Sequence, residues 1–125
     1  MAFYGCTNLK SVVLSNNLNT IGQQVFMKCE NLTSISLPQG ITSIELSAFN
    51  GCSNLANVVM PIKLKTIRKF AFKDCKKLVI NNLPDSISSI EESAFENCTS
   101  ITSLFIPGNS TTIGAKAFKE CIYEA

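Results

Sequence analysis

Apolar and polar positions along this chain repeat with one period. Phenylalanine recurs at Phe3, Phe26, Phe49, Phe72, Phe95 and Phe118. Cysteine follows three residues later each time, at Cys6, Cys29, Cys52, Cys75, Cys98 and Cys121. Both series step by 23 residues without a slip. Between these marks lies an apolar triplet that reads as a strand: Leu9-x-x-Val12-x-Leu14, Leu32-x-x-Ile35-x-Leu37, Leu55-x-x-Val58-x-Met60, Leu78-x-x-Asn81-x-Leu83 and Ile101-x-x-Leu104-x-Ile106. Its last two positions are two residues apart, so both point to one face. Pro38, Pro61, Pro84 and Pro107 then end the strand, with Ser15 in that place in the first copy, because proline fixes φ and has no N–H for the ladder.

A second apolar pair follows, spaced by three: Leu18/Ile21, Ile41/Ile44, Leu64/Ile67 and Ile87/Ile90. In the fifth copy Ser110 replaces the first member and Ile113 remains. The Ala-Phe-x-x-Cys mark then returns, its three named residues falling on one side of a short helical turn. Each repeat is thus a strand, a proline turn, a short extended piece and a helical turn. A fixed period of about 20–29 residues is the signature of a solenoid. Stacking at about 4.8 Å per strand gives a body on the order of 25 Å long, with ladders of Phe, Cys, Leu and Ile as its core. The expected division is one domain over 1–125, with repeats 2–24, 25–47, 48–70, 71–93 and 94–116 and a partial sixth over 117–125.

The strand pattern L-x-x-L-x-L, a proline, and then I-x-x-x-A-F-x-x-C-x-x-L resembles the BspA-type leucine-rich repeat over residues 2–121. The chain departs from that pattern at Asn81, where an apolar residue belongs, and at Ser15 and Ser110. The resemblance implies an α/β solenoid with parallel strands, a right-handed leucine-rich-repeat superhelix or horseshoe. It also implies adhesion and protein binding at a cell surface or outside the cell, with a host or extracellular-matrix protein as one kind of partner.

Composition adds limits. Hydrophobic residues make up 46% of the chain, enough for a continuous core. The net charge of +2 makes no case for nucleic acid. No run of about 18 apolar residues spans a membrane, and no basic stretch before an apolar run marks a signal peptide. The chain opens on the repeat mark and closes just after Cys121 without a polar cap. That reads as a segment of a longer array, or as a short protein that self-associates through uncapped repeat ends.

Six cysteines would allow disulfides. Every one has the same local sequence, however, so pairing would have to choose between two identical neighbours. We expect free, buried thiols, since a free cysteine behaves as a small apolar group. A line of thiolates about 5 Å apart cannot converge on a tetrahedral zinc, and no histidine is present. No metal or cofactor is expected.

Seven of the eleven Lys and Arg residues fall between Lys63 and Lys77. The period answers three of them. One repeat either side of Arg68 stand Glu45 and Glu91, Lys69 maps to Glu92, and Lys73 maps to Glu96, which maps on to Lys119. Opposite charges on neighbouring strands contribute about 0.2–1 kcal/mol each. Lys63, Lys65, Lys76 and Lys77 have no acidic counterpart and are the candidates for binding an anionic polymer.

The outward strand positions are Ser11 and Val13, Ser34 and Ser36, Asn57 and Val59, Ile80 and Asn82, and Ser103 and Phe105. Apolar side chains gathered on one ladder surface suggest a docking face. The candidate partner-binding residues are Val13, Ser36, Asn57, Val59, Ile80, Asn82 and Phe105. No catalytic motif is present, and the six glycines, Gly108 among them, form no phosphate cradle. The expected function is a non-enzymatic protein-binding or adhesive module that uses the strand face. The alternatives are a structural spacer or scaffold array, and an anionic-polymer binder acting through the Lys63–Lys77 region.

Overall fold

The structure, a computed structural model, describes residues 2–107 and 111–121. Gly108, Ser110 and the part of the sixth repeat beyond Cys121 lie outside the described residues. Seven short strands follow in chain order: β1 (Ser11–Val12), β2 (Ser34–Ser36), β3 (Ser43–Ile44), β4 (Asn57–Val59), β5 (Thr66–Ile67), β6 (Ser89–Ile90) and β7 (Thr112–Ile113). They form two parallel sheets, β1-β2-β4 and β3-β5-β6-β7. Each pairing joins residues one repeat apart, such as Ile35 with Val58 and Ile67 with Ile90. The chain therefore winds as a parallel-stranded solenoid, one repeat per coil, and the short extended piece of coils two to five is the source of the second sheet.

The third side of the coil is the Ala-Phe-x-x-Cys stretch. It closes on itself by a bond from the cysteine N–H to the phenylalanine carbonyl, 3.1 Å for Cys29 to Phe26 and for Cys52 to Phe49. The turn does not extend into a helix. Positive φ falls on the residue just before this stretch and on the residue just before its cysteine, at Gln24 (55°) and Lys28 (61°), at Phe70 (60°) and Asp74 (62°), and at Ser93 (56°) and Asn97 (65°). A left-handed residue costs about 1–2 kcal/mol and stops a right-handed helix. The same alternation turns every second N–H toward the next coil. Phe26 N–H donates to the Ala48 carbonyl at 2.9 Å, Phe49 to Ala71 at 2.8 Å and Phe72 to Ala94 at 2.7 Å. The backbone strain is thus offset by bonds that a helical turn would have kept within the coil.

Inside, the phenylalanines stack. Adjacent rings from Phe3 to Phe118 lie 5.2–5.5 Å apart and 3–13° from parallel. Phe26, Phe49, Phe72 and Phe95 have no exposed surface. Leu32, Leu55, Leu78, Ile44, Ile67 and Ile90 are equally buried, so the ladders form one continuous core.

The first sheet is regular through coils one to three and breaks at coil four. Ile80, expected on the outer face, is 7% exposed and belongs to the core. Asn81, which the period places inside, is exposed instead. An unpartnered amide in the core costs about 1–3 kcal/mol, and a local exchange of the two side chains, with the flanking residues still in one-repeat register, puts an isoleucine there instead. No strand forms there, and pairing resumes only at an isolated bridge between Asn82 and Phe105.

Candidate functional site

The strand face is built by β1, β2, β4 and the segments around Asn82 and Phe105. The pleat turns Val13, Ser36, Asn57, Val59, Asn82 and Phe105 to solvent. Val13 is 99% exposed, Val59 56% and Phe105 63%. Asn82 and Phe105 are bridge partners, and Ser36 pairs with Val59 in the ladder. These six share the face as expected, and Ile80 does not. Two further apolar residues join them: Val79, 52% exposed, and Ile62, which stands out at the corner beside Pro61. Val79 has Ala56, Thr33 and Lys10 as counterparts, none of them strongly apolar, so its exposure is visible in the sequence once the period is laid out. Ile62 follows the turn proline, and turn residues carry no strand pattern that would mark it in the sequence.

At the break in coil four the face opens into a cleft of about 600 Å³. Val58, Met60 and Ile62 form one wall, and the segment Val79 to Asp85 the other. Between coils two and three the face is closed by ladder bonds such as Leu37 N–H to the Val59 carbonyl at 3.0 Å.

The charged cluster divides. Arg68 reaches Glu91 at 3.5 Å and Glu45 at 4.0 Å, and its Nε donates to the Ser43 hydroxyl at 3.3 Å. The period thus located the Arg68 ladder. Among the described residues these are the ion pairs, so Lys69–Glu92 and Lys73–Glu96 do not close. The Lys73 ammonium lies 5.6 Å from the centroid of the Phe70 ring instead, a cation–π contact. Lys63, Lys65, Lys76 and Lys77 are all exposed. The first two sit at the corner between the sheets. The other two sit at the corner where the cysteine turn enters the first sheet. The structure does not gather the four into one patch.

All six cysteines are free. The Cys52 S–H donates to the Phe26 carbonyl of the preceding coil at 3.0 Å, and Cys75, Cys98 and Cys121 repeat the bond to Phe49, Phe72 and Phe95 at 3.0–3.1 Å. Burial pushes the Cys52 thiol up from 9.0 to about 12, with the nearby Cys29 adding to the rise and the Cys29 N–H opposing it. Burial raises Cys75 and Cys98 likewise. These thiols are protonated hydrogen-bond donors, unsuited to nucleophilic chemistry. Among the described residues no group of His, Cys, Asp or Glu could hold a metal ion. Among the described residues no helix is long and apolar enough to cross a membrane.

One strand per repeat in a parallel sheet, with a phenylalanine–cysteine spine behind it, defines a leucine-rich-repeat solenoid. Residues 1–124 match the model of the BspA type leucine rich repeat region as six copies, and the chain belongs to that family. No curated protein matches it. Among solved structures it is similar to a leucine-rich repeat protein from Bacteroides ovatus, with 35% identity, a TM-score of 0.85, and coverage of 95% of this chain and 30% of that one. A leucine-rich repeat protein from Eubacterium ventriosum matches with 29% identity and a TM-score of 0.89, covering 99% of this chain and 34% of that one. A leucine rich cell surface protein from Faecalibacterium prausnitzii matches with 34% identity and a TM-score of 0.74, covering 81% and 27%. The chain therefore spans about a third of the length of these relatives.

Proposed function

We propose that this chain is a non-enzymatic protein-binding module, one domain of five repeats and a partial sixth, that engages its partner through the first sheet. The observation that carries the reading is the set of apolar side chains held out of the core on one regular face: Val13, Val59, Val79 and Phe105. Phe105 weighs most. Its counterparts are Val13, Ser36, Val59 and Asn82, so the repeat does not need an aromatic there. Aromatic anchors commonly dominate interfaces, at about 2 kcal/mol or more on truncation. Asn57, Asn82 and Ser36 supply polar groups around them. The Faecalibacterium relative, a cell surface protein by name, supports an adhesive role in which the partner is a protein outside the cell.

The test is Phe105→Ser combined with Val59→Ser. Both changes copy residue types found elsewhere in the repeat, so the fold persists by circular dichroism. Affinity for an extracellular protein partner, measured by surface plasmon resonance, falls by about tenfold or more. Unchanged affinity moves the site off this face. A spacer role would give no saturable partner at all.

A further inference from the structure

In coil four the ladder of the first sheet is opened from within. Asn81 occupies the position of Val12, Ile35, Val58 and Leu104. The chain buries Ile80 in its stead: the two residues exchange sides locally, while one-repeat register holds on both flanks, at Val79 with Ala56 and at Asn82 with Phe105. Val79 N–H still reaches the Ala56 carbonyl at 3.1 Å. Beyond that point, among the described residues, no backbone hydrogen bond joins Val58–Met60 to Ile80–Asn82. On the far side the ladder is whole again, with Phe105 N–H on the Asn81 carbonyl at 2.8 Å and Leu83 N–H on the Phe105 carbonyl at 3.2 Å.

We propose that the cleft at this break is the subsite for an extended peptide segment of the partner, which lays its backbone along the unpaired edges and seats one apolar side chain between them. The proposal rests on the strand-face reading and names the chemistry that face selects. Four features point to this occupant. Among the described residues Val58–Met60 and Ile80–Asn82 hold backbone N–H and C=O groups without a partner across the break, which an extended backbone can supply. The side chains of Asn81 and Asn82 are exposed, and each amide can donate and accept. The volume of about 600 Å³ lies within the usual range of ligand clefts, about 300–1,000 Å³. Asp85 stands on the wall and makes no ion pair among the described residues, so a basic residue beside the apolar one is complementary in charge. Val59 lies between Val58 and Met60 of one wall and Phe105 bridges to Asn82 of the other, so one partner can use both.

The probe is a phage-displayed random octapeptide library selected on the 125-residue protein. The enriched peptide is then synthesised with a fluorescent label and its binding read by polarisation. We expect enrichment of an apolar residue next to Lys or Arg. The double substitution Ile80→Asn with Asn81→Val restores in coil four the order of Asn57-Val58, closes the ladder and weakens binding about tenfold. Val79→Arg blocks the mouth from an exposed position without touching the core, and weakens binding to the same degree. Methylating the peptide N–H groups beside the apolar residue also costs about tenfold. Phe105→Ser changes octapeptide binding less than about twofold.

Absence of any enriched peptide overturns the proposal. So does a peptide that binds the double variant and Val79→Arg as it binds the parent, or one indifferent to methylation. Loss of a dimer in sedimentation on Val79→Arg would assign the cleft to a second copy and also overturn it. A protein partner lost on Phe105→Ser/Val59→Ser but retained by the double variant leaves the broader face standing and the cleft refuted. The reverse result refutes the broader face alone.

Discussion

Each buried cysteine does two jobs that no other small side chain combines. It fills the gap behind the phenylalanine ring as an apolar group, and its S–H satisfies a second lone pair on a phenylalanine carbonyl that already accepts the cysteine N–H of its own coil. A thiolate would lose the donor and stand desolvated beside its neighbours, which is why burial lifts Cys52 from 9.0 to about 12. The sign of the linkage follows. Above about pH 9 the unfolded chain releases this proton while the folded chain holds it, so the unfolded state binds fewer protons and stability falls as pH rises. The contribution is fully present below pH 9 and is lost on the way to pH 12. Each such thiol adds a slope of up to about 1.4 kcal/mol per pH unit. Thermal melts from pH 8 to 11 should show the midpoint falling, and Cys52→Ala should fall less steeply despite starting lower. Parallel slopes would show that the thiol is not the titrating group.

At the scale of the element, the second sheet is held along its edge by Arg68. The residue just past β5 bonds to the carboxylates just past β3 and β6, so one guanidinium ties three coils. All three side chains are partly solvated, and such pairs give about 0.2–1 kcal/mol. Glu91→Lys puts a like charge one coil away from Arg68. Its midpoint of unfolding should drop at low salt, and the gap to the parent should narrow in high salt as screening sets in. No change at low salt would mean that the ladder adds nothing. The first sheet shows the opposite case, in which one residue of the wrong polarity dissolves a strand. Asn81 could not enter the core unpartnered, so the segment around it lost its pairing and opened the cleft.

Over the whole molecule, stability is a sum over neighbouring coils, because each ladder residue touches its copies directly above and below. Position along the array therefore decides what a substitution costs. Phe72 stacks on Phe49 at 5.2 Å and on Phe95 at 5.3 Å, fully buried. Phe3 stacks on Phe26 alone and is 39% exposed. Phe72→Ala should cost about 3–5 kcal/mol in urea unfolding, as large-to-alanine changes in closed cores do. Phe3→Ala should cost less than half of that. Equal losses would contradict a nearest-neighbour array. The binding face follows the same logic in reverse, since what the core does not take at each coil is offered to solvent in register.

The sequence by itself determined the coil: its period, its core ladders, the parallel register and the pairing of Arg68 with Glu45 and Glu91. It could do so because identical residues one period apart must stack when one repeat cannot bury its own face. The free thiols were legible for the same reason. Only the tertiary structure decided how coil four resolves its conflict. Period alone placed Ile80 outside and Asn81 inside, but the choice between them depends on burial cost, and the chain exchanged the two locally to bury the isoleucine. The same holds at the Ala-Phe-x-x-Cys mark. Its spacing suits a helical turn within one coil, yet left-handed residues such as Lys28 and Asp74 turn the N–H groups to the next coil. Those bonds are non-local, and local spacing carries no record of them.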